Sequence, residues 1–560
     1  MSAPSSNSRL AIAHAMLKSL ATPRTRPFLP ENKPIAAPLE NEPLAEPIGD
    51  DAPGPRKDNA GDAVPQPQRG WWRTDRIALP VLLLIAAAVP RFWQIGRESY
   101  WYDEVVTVEV ARSSQVIATL KTMDASRAPL HPLILHVWIS WFGEAEGATR
   151  TLSALFGLVT VAVVFAIGRK IGGSSAGCWA MAFAAMSPLL VQYDRETRMY
   201  SLLSLLTCLA WWNLLGFRDS ASWVRCSLQS VLMALIAYTH PLGLLMIAGL
   251  GAGGLADWRR TCLGLGRWVA IHVVTAAMIA PWIGYYFDHS PEFLSARPTL
   301  RVLTGMPIGF TGGDSRSLIA FAFLVALALA PWRIPGLADR PPVGSWSMAW
   351  WLALPPAILF AYSLVRDPLF GPARYNVYCA PAFLVLVGCG ISRLRPFTAA
   401  LAGCLLIVLA SLQSVRTTIQ AEGKADWRAA GAWLESNAPD SLVIVVPPVS
   451  GPNRELTVAR YYLGNRASGL PADGPASEKE FRELPLGRTF YSTSLRDGLP
   501  MGFLPVKARV ENVEIISEGN REVSHSTYNH DFRGLRLTEI SRQSPPPTIL
   551  YRGQSCIVPW

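Results

Sequence analysis

Two adjacent acids, Asp103 and Glu104, follow the aromatic run Tyr100-Trp101-Tyr102. A carboxylate beside low-dielectric surroundings holds a proton more readily, which suits a general base taking a proton from a hydroxyl. The same pair at a helix N-terminus would also sit well against the helix dipole, and the residue types alone leave both readings open. A second cluster, Gln192-Tyr193-Asp194-Arg195-Glu196-Thr197-Arg198-Met199-Tyr200, sets two acids and two arginines between apolar runs. Taken alone it reads as a self-neutralising turn. His240, in Tyr238-Thr239-His240-Pro241, and the pair Arg374-Tyr375 stand at two further breaks in the apolar sequence. An arginine suits phosphate, because its fork donates two parallel hydrogen bonds; its ordinary role at such a place is to snorkel to the interface.

The elements that must position these groups are membrane spans. The 560 residues are 50% hydrophobic and only 16% charged, against about 25% charged in soluble domains. A span needs about 20 mostly apolar residues. Such runs lie near 77–95, 150–171, 176–193, 199–217, 226–238, 242–256, 268–287, 318–332, 346–365, 375–391 and 397–412, eleven in all. The run 129–143 is shorter, opens at a proline and carries His131 and His136. Its length suits a helix lying flat at the interface.

Charge fixes the direction. If 129–143 lies flat on the outer side, Arg169-Lys170, Arg218 and Arg225, Arg259-Arg260 and Arg267, Arg333 and Arg340, and Arg393 and Arg395 share one side with Arg73 and Arg76. That satisfies the positive-inside rule throughout. It also explains the formal net charge of +10 without a nucleic-acid partner. All four polar clusters then face the outer compartment. Arg195, Arg198, Arg366 and Arg374 lie there against the rule, and an anionic ligand is one reason to keep them. Of the spans, His272 is the main mid-membrane ionisable residue, and Arg91 lies near an outer end.

Residues 1–70, rich in Pro, Ala, Ser and Asn, are expected to be a disordered cytoplasmic tail. Residues 71–413 form the membrane domain, with a first outer loop over 96–149. Residues 414–560 are expected to be a small extracytoplasmic α/β or α+β domain, with a helix over 425–436 and strands at 442–446, 513–517 and 535–540. Of the eight cysteines, Cys178, Cys208, Cys379, Cys389 and Cys404 lie inside apolar runs, and no paired spacing marks a disulfide framework.

Several short motifs recur in a fixed order: Tyr-Trp-Tyr-Asp103-Glu104, Arg127-Ala-Pro-Leu-His131-Pro-Leu, Gly168-Arg169-Lys170, Glu196-Thr-Arg198-Met-Tyr200, Tyr-Thr-His240, Arg374-Tyr375 and Asp426-Trp427-Arg428. In that order they resemble the bacterial GT-C glycosyltransferases of the family-39-like group, relatives of the protein O-mannosyltransferases and of the lipid A aminoarabinose transferase. The resemblance implies a polytopic α-helical membrane protein with juxtamembrane helices in its first outer loop. It implies transfer of a sugar from a polyprenyl-phosphate donor to a glycan, lipid or protein acceptor, at the outer face of the cytoplasmic (inner) membrane. Asp103 resembles the catalytic carboxylate, with Glu104 and Glu196 as further catalytic acids. Arg198, Arg374 and Tyr375 would hold the donor phosphate, and Tyr102, Arg127, His131, Asp194, Tyr200 and His240 would contact substrate. This chain has Asp194-Arg195-Glu196-Thr197-Arg198 where the group usually has Ser-Gln-Glu-Ala-Arg, which leaves open which acid of that loop acts. A divalent metal such as Mg²⁺ or Mn²⁺ between Asp103, Glu196 and phosphate is a further option, since hard cations take oxygen ligands. The alternative from another class is a transporter or lipid flippase, which would place polar groups and broken helices at the bilayer midplane, often in two repeated halves.

Overall fold

A computed structural model describes residues 78–123, 128–287, 298–299, 302–311, 315–330, 345–366, 369–370, 373–394, 396–419, 426–437, 442–445, 454–469, 489–495, 509–518, 521–532 and 535–543. The expected tail, residues 1–70, lies outside the described residues, as does Arg127.

The chain is mostly helical. Helix α1 (Ala78–Phe92) leads through the stretch 93–101 into three short helices, α2 (Tyr102–Arg112), α3 (Val116–Met123) and α4 (Leu130–Phe142). Helix α4 has 13 residues, about 20 Å at 1.5 Å per residue, too short for a hydrocarbon core of about 30 Å. Its one face buries His131, Pro132 and Leu135, and the other exposes Leu133, Val137, Trp141 and Phe142. That division fits the flat orientation expected from its length.

The next element, α5 (Glu146–Met186), spans 41 residues in two helical arms that meet at Gly173, whose φ is +83° and ψ −178°. Only glycine takes that conformation without strain. The chain doubles back there. A Cβ on Gly168 would meet the Gly177 backbone at 3.0 Å, so the two arms touch through glycine. The hairpin corresponds to the second and third apolar runs of the sequence.

Helices α6 (Pro188–Asp194), α7 (Tyr200–Gly216), α8 (Trp223–Thr239), α9 (Gly243–Ala256), α10 (Leu265–Phe287), α11 (Val302–Phe310), α12 (Ser315–Leu329) and α13 (Ser345–Val365) follow. A 3₁₀ segment (Ala373–Cys379) then runs into α14 (Ala380–Ser392). Among the described residues, four helices are long and apolar enough to cross a membrane, including the α5 hairpin and the run 374–392. Six shorter apolar helices accompany them. Ala380 to Ile391 are all buried, so α14 is the centre of the bundle. Small residues let it sit there: a Cβ on Gly388 would strike the Ala176 carbonyl at 2.6 Å. Close backbone approach at small residues is how helices associate where lipid removes the hydrophobic drive. Because α14 is fixed on all sides, Arg374 and Tyr375 at its lead-in are fixed too.

Helix α15 (Pro396–Ile419) runs past the expected domain boundary at residue 414. The sequence there loses its apolar character, but it contains no glycine or proline to stop a helix. Beyond it, α16 (Trp427–Asn437) and α17 (Arg454–Leu463) accompany one mixed sheet of order β2-β1-β3-β6-β5-β4. Its strands are β1 (Leu442–Val445), β2 (Ala467–Gly469), β3 (Thr489–Leu495), β4 (Arg509–Glu518), β5 (Arg521–Phe532) and β6 (Leu535–Gln543). Strand β1 is parallel to β2 and β3, with Val443 opposite Ala467 and Tyr491. The other pairs are antiparallel. The expected strands at 442–446, 513–517 and 535–540 correspond to β1, β4 and β6.

Candidate active site

Helix α2 begins at Tyr102, with extended backbone at Trp101 (φ −97°, ψ 171°), and its first turn carries both acids. Neighbours on a helix point in different directions, and here they part company. Glu104 is 0% exposed. Arg150, near the N-terminus of α5, holds it with two parallel bonds of 2.8 Å, Nε to Oε1 and Nη2 to Oε2. The Thr197 amide donates to Oε1 at 2.9 Å, and the Trp101 amide to Oε2 at 3.4 Å. Arg150 also donates to the carbonyls of Ile95, Glu98 and Ser99. Along the sequence Arg150 is marked only as an arginine at the start of an apolar run.

The Asp103 side chain is 21% exposed, and Arg374 Nη1 stands 3.7 Å from its Oδ2. Arg198 donates to the Asp103 carbonyl at 3.0 Å and to the Thr107 hydroxyl at 2.5 Å. The guanidinium of Arg374 lies over the rings of Trp101 and Tyr375, at 5.8 and 5.3 Å. Its Nε is buried without a hydrogen-bond partner among the described residues.

A chain of rings closes the other side. Tyr193 meets Tyr200 edge-on at 5.2 Å, Tyr200 lies 6.0 Å from His240, and His240 lies 6.4 Å from Tyr375. Arg198 lies over the Tyr200 ring at 6.0 Å. His240 accepts a hydrogen bond from the Leu242 amide through Nδ1, at 3.0 Å. Burial, with Arg198 and Arg374 nearby, pushes its pKa down to about 3. His131 is also buried, its Nε2 has no hydrogen-bond partner among the described residues, and burial with the Arg198 charge pushes it down to about 3. Both imidazoles are therefore neutral at pH 7. The Glu196 side chain is buried beside Tyr193, in the same field as Arg374 and Tyr375.

Two expected substrate residues lie elsewhere. Asp194 is buried against Arg91, Oδ2 to Nε at 2.8 Å, and Arg91 also donates to the carbonyls of Ala87, Ala184 and Ala185. A Cβ on Gly157 would overlap the Asp194 carboxylate at 2.2 Å, so that glycine makes room for the pair. Tyr102 packs on the side of the C-terminal helices, under the guanidinium of Arg454 at 5.5 Å. Arg195 has a local partner of its own. It donates to the carbonyls of Pro90, Arg91 and Trp93 at the end of α1, where a helix leaves its last acceptors unpaired.

Asp103, Glu196, Arg198, Tyr200, His131, His240, Arg374 and Tyr375 are thus brought together from five parts of the chain. Among the described residues no group of three or more His, Cys, Asp or Glu side chains gathers. The nearest charged neighbour of Asp103 is a guanidinium. That donor set fits an anion held by two arginines, with one carboxylate at its edge.

Residues 126–285 match the family model described as dolichyl-phosphate-mannose-protein mannosyltransferase. The matched segment holds His131, Glu196, Arg198 and His240; Asp103 and Arg374 lie outside it. No curated protein matches the sequence. The chain is similar to the crystal structure of ArnT from Cupriavidus metallidurans bound to undecaprenyl phosphate, with 16% identity and a TM-score of 0.49, over 84% of this chain and 98% of that one. It is similar to the oligosaccharyltransferase of Archaeoglobus fulgidus in its apo form, with 12% identity and a TM-score of 0.47, over 76% of this chain and 70% of that one. For the arabinofuranosyltransferase AftD from Mycobacteria the values are 13% and 0.44, over 83% of this chain and 40% of that one. The chain resembles membrane glycosyltransferases of the mannosyltransferase type, as its motifs imply.

Proposed function

We propose that the protein transfers a sugar from a polyprenyl-phosphate carrier to an acceptor at the outer face of the cytoplasmic membrane. The observation that carries this reading is the meeting of Asp103 with Arg374 and Arg198 at one spot. The family description over residues 126–285 supports it, since it names a lipid-phosphate-linked sugar as donor.

Each group has a role. Arg374 and Arg198 hold the donor phosphate, and their attraction strengthens as the phosphate takes on charge during cleavage. An interaction that is stronger in the transition state accelerates the reaction. The neutral imidazoles of His131 and His240 line this site without adding positive charge. The acceptor oxygen attacks the anomeric carbon, and the bond from that carbon to the phosphate oxygen breaks. The polyprenyl phosphate leaves with the electron pair, and the acceptor proton passes to the Asp103 carboxylate. The leaving group is a stable anion, so no strong general acid is required. Direct displacement with inversion is the course expected. Glu104, held on both oxygens by Arg150, is assigned no proton transfer. Tyr200 and Tyr375 form the aromatic wall, and Glu196 is buried near Tyr193.

The test uses the full chain in lipid nanodiscs with a panel of undecaprenyl-phosphate-linked radiolabelled sugars, hexoses and pentoses, and a membrane extract as acceptor source. One sugar should be transferred with release of undecaprenyl phosphate, and the transfer should be lost in Asp103→Asn. No transfer from any donor, combined with movement of the lipid between leaflets, would favour the transporter instead.

A further inference from the structure

The stretch 96–101 that leads into α2 is gripped by the C-terminal helices. Tyr462, on α17, accepts a hydrogen bond from the Tyr100 amide at 2.7 Å and donates from the same hydroxyl to Glu146 Oε1 at 2.8 Å. The other oxygen of Glu146 meets Arg428 Nη1 at 3.1 Å. Arg428 in turn donates to the carbonyls of Gly96 and Arg97, at 3.0 and 2.7 Å. Ser99 donates its hydroxyl to Asp426 at 3.1 Å and accepts from the Arg428 amide at 3.1 Å. The Asp426-Trp427-Arg428 motif therefore has its use here, far from Arg374 in sequence.

The grip extends inward. Tyr100 is buried, its ring edge-on to Tyr461 at 5.7 Å. Its hydroxyl lies 2.6 Å from the Thr149 hydroxyl, which lies 2.8 Å from that of Thr197. Thr197 belongs to the loop that carries Glu196 and Arg198, and its amide holds Glu104. Apolar contacts accompany the polar ones: Val105 and Val108 of α2 share a core with Trp427, Leu434, Val458 and Leu463. Asp103 lies on the first turn of this held helix.

We propose that Tyr462 is a positioning residue, and that the C-terminal helices set the pose of Asp103 through the Tyr100 amide. The claim rests on the reading of Asp103 as the base. A buried backbone amide requires an acceptor, and the hydroxyl of Tyr462 is the one supplied. It also joins the Tyr100 backbone to Glu146, and through Glu146 to Arg428. Displacement of a reacting group by about 1 Å can cost on the order of 10²-fold in rate. A side chain that never touches substrate therefore governs turnover.

Tyr462→Phe keeps the ring and its contact with Tyr461 and removes only the hydroxyl. In the full chain in nanodiscs, amide exchange in the peptide 97–104 should rise by about five- to tenfold, the worth of one lost hydrogen bond. Exchange in helix α7 should not change. With the donor turned over in the panel above, kcat should fall by roughly 10- to 100-fold, with donor KM held within about twofold. Ser99→Ala cuts the separate Asp426 link without touching the aromatic contacts, and should move exchange and kcat the same way. Combined with Asp103→Asn, Tyr462→Phe should cost little more, because a residue acting through another loses its effect when that one is gone. Wild-type exchange and turnover in Tyr462→Phe overturns the proposal, as do losses that simply add in the double variant. If Asp103→Asn alone keeps the full rate, the base assignment falls, and the positioning role with it. If Asp103→Asn is inactive while Tyr462→Phe is normal, only the positioning role falls.

Discussion

Arg150 holds Glu104 by both carboxylate oxygens at 2.8 Å, wholly out of solvent. The neighbouring Asp103 keeps a part-exposed carboxylate 3.7 Å from Arg374. Two acids one residue apart therefore differ in their surroundings: Glu104 ties α2 to α5 and to the loop of Thr197, and Asp103 stays part-exposed beside Arg374, where the proposed mechanism uses it as the base.

The first prediction separates these two. Removing one member of a buried ion pair leaves the other charge uncompensated, at a cost of about 3–5 kcal/mol. Glu104→Gln should lower the thermal unfolding midpoint in detergent, and Asp103→Asn should leave it near wild type. Asp103→Asn should instead reduce sugar transfer by roughly 10²–10⁴-fold, the range for a lost general base. Equal melting of wild type and Glu104→Gln would remove the structural role from this ion pair.

A second prediction concerns Arg374. A guanidinium can bind phosphate through two parallel donors, and an ammonium is a point charge. Arg374→Ala should raise donor KM and lower kcat, and Arg374→Lys should restore only part of the loss. Its position over the Trp101 and Tyr375 rings adds a stacking contact that lysine cannot copy. Full activity in the lysine variant would reduce Arg374 to an interfacial charge.

The histidines make a third. His131 and His240 sit near a pKa of about 3 in the folded protein, against about 6.5 in an unfolded chain. Between those values the unfolded chain binds more protons, so stability falls as pH falls from about 6.5 toward 3 and is flat above. The cause is burial first, then the charges of Arg198 on both rings and of Arg374 on His240. Unfolding midpoints at pH 7.5 and pH 4.5 should differ less in His131→Asn and in His240→Gln than in wild type. The readout is the pH slope, whatever each substitution does to the midpoint at pH 7.5. An unchanged slope in both variants would mean that these rings already exchange protons with solvent when folded.

The fourth concerns topology. The positive-inside rule, applied to the basic residues, predicts that residues 414–560 lie outside the cytoplasm. A reporter active only outside, fused after Pro448, should be active, and one fused at Arg260 should not. The reverse pattern at normal expression would invert the direction of every span.

Much of this was legible along the chain, because it depends on local chemistry. Apolar runs become helices, four of them among the described residues long enough to cross a membrane. The break between the second and third runs marks the Gly173 turn, and Tyr-Trp-Tyr before two acids marks the start of α2. The shortness of α4 follows from its apolar run, which gives 13 helical residues where a span needs about 20. Even the cluster of Asp103, Arg198, His240 and Arg374 was visible as four polar breaks on one side. What the sequence could not decide is the partner of each charge. Asp103 and Glu104 are neighbours with the same chemistry, and so are Arg195 and Arg198. Arg150 reaches one acid and not the other, and the end of α1 takes Arg195 while the Asp103 carbonyl takes Arg198. Successive residues on a helix differ in direction by about 100°, so one position changes which side chain is buried. Which direction becomes the inside is set by helices distant in sequence. Only when Arg150 of α5, Arg374 of the 3₁₀ segment and the C-terminal helices come together around α2 is one acid enclosed and the other left part-exposed beside a guanidinium.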